Sequence, residues 1–226
     1  MIYFNIDQSG ISVKETYKNQ LAGKVTIPTS DASGNLITKI NDFSRCSRIT
    51  HIFFLPTAKY VEINSEAGFG NCQSLKYIEL PVSITKIGNS AFANNSALTM
   101  TSLNDNIIDI GSSAFDTCQS LNWTSLPANL TVINERSFCL CSGLKLDLLP
   151  RNITEVKSAA FKYSPNVNIK VFGHTKNAEM GAEDNMITRI ESDAFNGCGQ
   201  SVNEIWIKNS VEELLENCFL DYGKSN

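Results

Sequence analysis

Phenylalanine recurs along this chain at nearly constant intervals. The copies are Phe43, Phe69, Phe92, Phe115, Phe138, Phe161, Phe195 and Phe219, and four consecutive steps between them are 23 residues long. Two aliphatic positions share this period, one five residues before the Phe and one six residues after it. Ile87 and Leu98 occupy them around Phe92. A fixed period of this length indicates a repeat protein, in which successive units stack on one another.

One unit, residues 69–92, shows what each repeat contains. Leu75, Ile78 and Leu80 suit a short strand, and Pro81 ends it because proline has no N–H to donate to a ladder. A unit of 23 residues with one strand cannot cover its own apolar face, so its neighbours must cover it. We therefore expect a solenoid of about eight turns, with a parallel sheet and a file of Phe rings.

The spacing of the apolar residues in this unit resembles a known family. The pattern Leu75, Ile78, Leu80-Pro81, Ile84, Ile87-Gly88, Ala91-Phe92 is similar to the BspA-type, or Treponema pallidum-type, leucine-rich repeat, and it extends over about residues 23–222. The resemblance implies an α/β-type repeat solenoid that is right-handed, with one short parallel β-strand in each turn. It also implies a non-enzymatic role in protein recognition, such as surface adhesion or the binding of a host protein.

A structural role is the alternative to recognition. The first residues show neither the basic start nor the apolar stretch of a secretion signal, so either the chain is not exported by that route or its signal has been removed. A subunit of a larger assembly, such as a phage virion or tail component, fits this observation as well as a surface protein does.

The ends of the chain and one interruption depart from the period. Residues 1–22 predict a hairpin cap, and residues 23–226 predict the solenoid. The step from Phe161 to Phe195 is 34 residues, which places an inserted loop at about 173–185. The last turn stops soon after its Phe, and we expect an open end that self-associates or receives another chain. The alternative is that residues 211–222 cap this end.

The inserted loop carries the first set of candidate binding residues. They are His174, Lys176, Glu179, Glu183 and Asp184. Insertions in repeat proteins form loops on one face, and loops carry a large share of binding function. The alternative is a solvated excursion without function, since long surface insertions cost little free energy.

An apolar column on the strands is the second candidate surface. Its members are Tyr77, Met100, Trp123, Leu146 and Ile169. In the family pattern this position points outward, which predicts an exposed stripe suited to a protein partner. The alternative is a shift of one residue that turns the column into the core. Asp147 and Lys170 occupy the nominally inward position, and the cost of burying an unpaired charge favours the shift.

Other ligand classes find little support in the residues. A net charge of -4 provides no footprint for nucleic acid or anionic membranes. The longest strongly apolar run, Ile52 to Leu55, is too short to span a bilayer. His51 and His174 belong to no catalytic motif, and no phosphate-binding loop is present, so we expect no catalytic residues and no cofactor. A protein partner is the remaining expectation.

The cysteines follow the repeat and not a metal-binding pattern. Five of the seven stand three residues after a Phe, where we interpret them as small apolar side chains with free thiols. Their spacing is set by the fold, so we expect no metal site. Cys139 lies in a variable column, which predicts that it is the most reactive thiol.

Overall fold

The computed structural model describes residues 3–8, 10–64, 68–100 and 102–224. Met1, Ile2 and Ser9 of the predicted cap, and residues 225–226 of the predicted last turn, lie outside the described residues. The strands of the described part are β1 (Phe4–Asp7), β2 (Gly10–Val13), β3 (Gly23–Ile27), β4 (Lys39–Ile40), β5 (Ile49–Phe54), β6 (Glu62–Ile63), β7 (Tyr77–Ile78), β8 (Lys86–Ile87), β9 (Asp109–Ile110), β10 (Val132–Ile133), β11 (Glu155–Val156), β12 (Val171–Phe172), β13 (Arg189–Ile190), β14 (Trp206–Ile207) and β15 (Glu213–Leu214).

The eight phenylalanines form one file through the core. Neighbouring ring centroids lie 5.1 to 5.7 Å apart from Phe43 to Phe219. The step of 34 residues does not interrupt the file, because Phe161 and Phe195 still stack at 5.3 Å. The repeat solenoid of about eight turns is therefore confirmed.

The turns contain two rows of parallel strands, so the expectation of a single strand per turn is incomplete. The first row contains β3, β5 and β7, and later β12 and β14. The second row contains β2, β4, β6, β8 and β9, and then β10, β11, β13 and β15. The second row arises because the aliphatic residue five positions before Phe pairs in register with its counterpart, as Ile87 does with Ile110. The described residues contain no α-helix, and a 3-10 turn at Glu15–Tyr17 is their only helical element.

The predicted N-terminal hairpin is present. Strands β1 and β2 pair antiparallel from Phe4 opposite Val13 to Asp7 opposite Gly10. Strand β2 also pairs in parallel with β4, so the hairpin lies at the end of the second row. The ring of Phe4 lies 5.9 Å from that of Phe43, where it covers the first ring of the file.

In six of the eight turns the residue three positions after Phe belongs to a buried hydrogen-bond ladder. Cys118 Sγ donates to the carbonyl oxygen of Phe92 at 3.1 Å. Ser164 Oγ donates to the carbonyl oxygen of Phe138 at 2.8 Å and accepts from the backbone N–H of Cys141 at 2.9 Å. Equivalent bonds to the preceding turn come from Cys72, Asn95, Cys141 and Cys198. These cysteines are more than small apolar side chains, since each supplies the partner that a buried carbonyl group requires.

All seven cysteines are buried as free thiols. Burial raises the pKa of Cys46, Cys72, Cys118 and Cys198 to about 12. The prediction that Cys139 is reactive is wrong, because this residue is 1% exposed and burial raises the pKa of its thiol as well. A variable position in the repeat is thus not necessarily an exposed one.

Candidate functional site

The apolar column predicted as an exposed stripe lies mostly in the core. Its buried members are Met100, Trp123, Leu146 and Ile169, each at most 1% exposed. The indole Nε1 of Trp123 donates to the carbonyl oxygen of Met100 at 2.7 Å. Asp147 and Lys170 are exposed instead, which is the outcome of a shift by one residue. The prediction of an exposed stripe is therefore wrong for these four residues. The charged residues beside them face solvent, and the alternation of the strand then turns the apolar side chains toward the core.

The two tryptophans should respond differently to a soluble quencher, because Trp123 is 1% exposed and Trp206 is 59% exposed. We expect acrylamide to quench the fluorescence of Trp206 much more than that of Trp123. Two variants separate the signals. Trp206→Phe leaves only the buried indole of Trp123, and Trp123→Phe leaves only the exposed indole of Trp206. Equal quenching in both would contradict the inward shift of the column.

The inserted loop is tied back to the next turn. The Asp184 side chain is 3% exposed and pairs with Lys208, and this contact lowers the pKa of the carboxyl group. The backbone N–H of His174 donates to Ser210 Oγ at 2.7 Å. Lys176 is exposed and its Nζ lies 2.7 Å from Glu212 Oε1. Asp184 is therefore a structural anchor and not a residue on a binding surface.

The tip of the loop holds the remaining two candidates. Glu179 and Glu183 are both exposed. At the base of the loop, Asn185 Oδ1 accepts from the Gly173 N–H at 2.7 Å, and Asn185 Nδ2 donates to the Val171 carbonyl oxygen at 3.1 Å. The buried amide closes the loop at its neck, so the two acids are presented on a fixed base.

Three rings form an aromatic patch on the outer face of the first row: His51, Phe53 and Tyr77. The centroids of His51 and Phe53 lie 6.1 Å apart, and Tyr77 lies 6.3 Å from the first and 6.4 Å from the second. The alternation of a strand explains the patch, since buried Ile52 lies between His51 and Phe53. In register, His51 pairs with Tyr77 on the neighbouring strand.

A groove of about 320 Å³ adjoins the aromatic patch. Its walls include Phe53, Phe54, Leu55, Leu80, Pro81 and Val82, and Glu79 is the one charged residue in its lining. Val82 is 72% exposed and Leu55 is 46% exposed, so much of this apolar surface faces solvent. The groove and the aromatic patch together form a continuous surface at β5 and β7, the second and third strands of the first row.

The outer face of the middle turns is mostly polar. Its exposed residues include Asn122, Thr124, Lys145, Asp147 and Lys170, with Leu148 as an apolar exception. The aromatic patch is thus confined to one part of the solenoid. Sequence reasoning placed Tyr77 on a binding surface and found His51 in no catalytic motif, but it assigned neither His51 nor Phe53 to that surface. The alternation of His51, Ile52 and Phe53 was the signal that identifies an outward aromatic pair.

No group of three or more His, Cys, Asp or Glu side chains within residues 3–8, 10–64, 68–100 and 102–224 is arranged to hold a metal ion. Over the same ranges, no helix has the length and apolar character needed to cross a bilayer.

Comparison with protein families identifies the repeat. A profile of the BspA type leucine rich repeat region matches residues 37–170 and 166–225, in six copies. The chain belongs to the BspA-type leucine-rich repeat family. A search of curated proteins finds no match.

Solved structures share the fold of this BspA-type chain. A leucine rich cell surface protein from Faecalibacterium prausnitzii matches with a TM-score of 0.63 and 23% identity, over 90% of this chain and 52% of that one. The T. pallidum leucine rich repeat protein matches with a TM-score of 0.63 and 19% identity, over 87% of this chain and 86% of that one. A leucine-rich repeat protein from Bacteroides ovatus matches with a TM-score of 0.52 and 19% identity, over 96% of this chain and 78% of that one. This chain spans about half of the F. prausnitzii protein.

The last BspA-type turns expose a second apolar surface, the C-terminal end. Its exposed residues are Trp206, Ile207, Leu214, Leu215 and Leu220. Tyr222 covers part of the core here, because its hydroxyl donates to the Ile169 carbonyl oxygen at 2.6 Å and its ring lies 5.6 Å from that of Phe219. The end therefore combines a partial cap with solvent-facing apolar side chains.

Proposed function

We propose that this chain is a non-enzymatic protein-recognition module that contacts its partner through the aromatic patch and the adjoining groove. The observation that carries the proposal is the cluster of three outward rings on β5 and β7, while the outward residues Asn122, Thr124, Lys145, Asp147 and Lys170 of the middle turns are polar. Exposed apolar patches bordered by polar residues are typical of interaction sites, and aromatic side chains are enriched at the centres of interfaces. Membership in a leucine-rich repeat family supports the same role.

Affinity capture from native material tests this proposal. The variant replaces His51, Phe53 and Tyr77 by serine, and a matched control replaces the outward residues Asn122, Thr124 and Lys145 by serine. Proteins captured by the wild type and quantified by mass spectrometry should fall about tenfold or more with the patch variant, and should be retained by the control. Equal capture by all three chains would refute the patch as the contact surface.

We further propose that the module works in surface adhesion or in binding a host protein, outside the cell. The name of the F. prausnitzii structure, a leucine rich cell surface protein, supports this location. Antibody labelling of intact cells, compared with permeabilised cells, tests the location. Labelling that appears only after permeabilisation would refute it.

Self-association through the C-terminal end is a second proposal. Five large apolar residues are exposed there, and within the described part of the chain β14 and β15 each pair with a strand on one side, so the opposite edge can pair with another chain. Such pairing also suits a structural subunit of an assembly, such as a phage virion or tail component. Light scattering after size-exclusion chromatography should show a mass that rises with concentration, and the double variant Trp206→Ser, Leu214→Ser should abolish that rise. A strict monomer at high concentration would exclude this mode.

A further inference from the structure

We propose that the groove takes an extended peptide segment in which an arginine or lysine side chain neighbours an aliphatic one, with the cation held between Glu79 and the rings of the aromatic patch. This inference rests on the proposed function, because it defines the chemistry of the partner at the same surface. It follows from the charge, the rings and the walls of the groove.

Glu79 provides the negative charge. Its carboxylate is exposed, and its Oε2 accepts from the Tyr77 hydroxyl at 3.1 Å. No Lys, Arg or His nitrogen of the described residues lies within 4.0 Å of this carboxylate. A bond from a neutral hydroxyl leaves the charge in place, so the carboxylate is available to a cation from a partner.

The rings provide the second contact. Tyr77 and Phe53 lie 6.4 Å apart on the same face, next to the carboxylate that Tyr77 holds. A guanidinium group that lies over an aromatic ring gains a cation–π interaction while its N–H groups donate to a carboxylate. Its planar fork satisfies both contacts at once, which favours arginine over lysine.

The walls of the groove decide between peptide and sugar. Phe54, Leu55, Leu80 and Val82 present apolar surface, which buries aliphatic side chains well. Glu79 carries the one polar side chain in the lining, so the hydroxyl groups of a sugar would find few side-chain partners in the groove. A peptide with a single basic group and apolar neighbours matches these walls better.

The probe for this inference is a library of random heptapeptides displayed on phage and selected on the immobilised wild-type protein. Selected peptides are then synthesised, and their affinities are measured by fluorescence anisotropy. We expect enrichment of arginine or lysine beside aliphatic residues, and about tenfold weaker binding to the Glu79→Gln variant. Glu183→Gln is the matched control, since it removes one exposed carboxylate elsewhere, and it should leave the affinity unchanged.

The outcomes separate the inference from the proposed function. Selected peptides without basic residues that still lose binding in Phe53→Ser would overturn the inference and retain peptide recognition at this surface. Peptides insensitive to both variants, or no enrichment at all, would overturn both. Binding of the protein to an immobilised glycan array, abolished by Phe53→Ser, would assign the groove to sugars and overturn the peptide class.

Discussion

Replacing Phe115 by alanine should lower the free energy of unfolding by about 3 to 5 kcal/mol, the range for truncation of a buried aromatic side chain. The ring is fully buried and lies between Phe92, at 5.1 Å, and Phe138, at 5.7 Å. The ring of Trp123 packs against that of Phe115 in a T-shaped arrangement, with the two ring centroids 5.0 Å apart. The substitution therefore removes stacking with both neighbouring turns and leaves a cavity that the rigid ladders on either side fill poorly. Equilibrium unfolding in urea, followed by circular dichroism, measures the change.

Phe53→Ala is the control for this substitution. It removes the same side chain from the outer face, where Phe53 is 37% exposed, and should cost less than about 1 kcal/mol. If the two alanine variants were destabilised equally, the file of rings would not be the centre of the core. Neither variant changes the charge of the chain, so the comparison isolates burial.

Replacing Ser164 by alanine should lower the free energy of unfolding by about 2 to 4 kcal/mol. The hydroxyl group serves two buried backbone groups, the Phe138 carbonyl and the Cys141 N–H, and each unpaired buried group costs about 1 to 3 kcal/mol. The methyl group of alanine fits the space but pairs with neither. Urea unfolding measures the loss, and faster hydrogen exchange of the Cys141 amide would be its local sign.

Ser164→Cys is the rescue variant, since other turns already use cysteine at this position. Cys141 Sγ, for example, donates to the Phe115 carbonyl oxygen at 3.0 Å. The thiol should restore most of the stability that alanine removes. A loss as large for cysteine as for alanine would contradict the view that a donor, and not merely a small side chain, is required in this column.

The two candidate surfaces show where residue patterns alone are insufficient. The family register would expose the column that includes Met100 and Trp123, whereas the charges beside it favoured the shift that buries the column, and both residues are buried. A strand of period two exchanges its faces completely when it shifts by one residue, so a correct period with the wrong register misplaces every side chain. Tyr77 keeps the outward register because Ile78 next to it faces the core.

The inserted loop shows a different limit. Its length and position follow from the step between Phe161 and Phe195, but the burial of Asp184 does not. That burial depends on Lys208, which lies in the following turn and comes close only when the coil closes. Pairing of this kind joins residues that are distant in the chain, so spacing along the chain carries no sign of it.

The chain's own period determined the solenoid, the file of Phe rings and the position of the inserted loop, because a 23-residue unit can bury its apolar residues only against copies of itself. The tertiary structure alone decided the second row of strands, the inward turn of Trp123, the thiol and hydroxyl ladder and the joining of His51, Phe53 and Tyr77. Each of these depends on which residue of one turn lies opposite which residue of the next, and that register is set by the packing of whole turns.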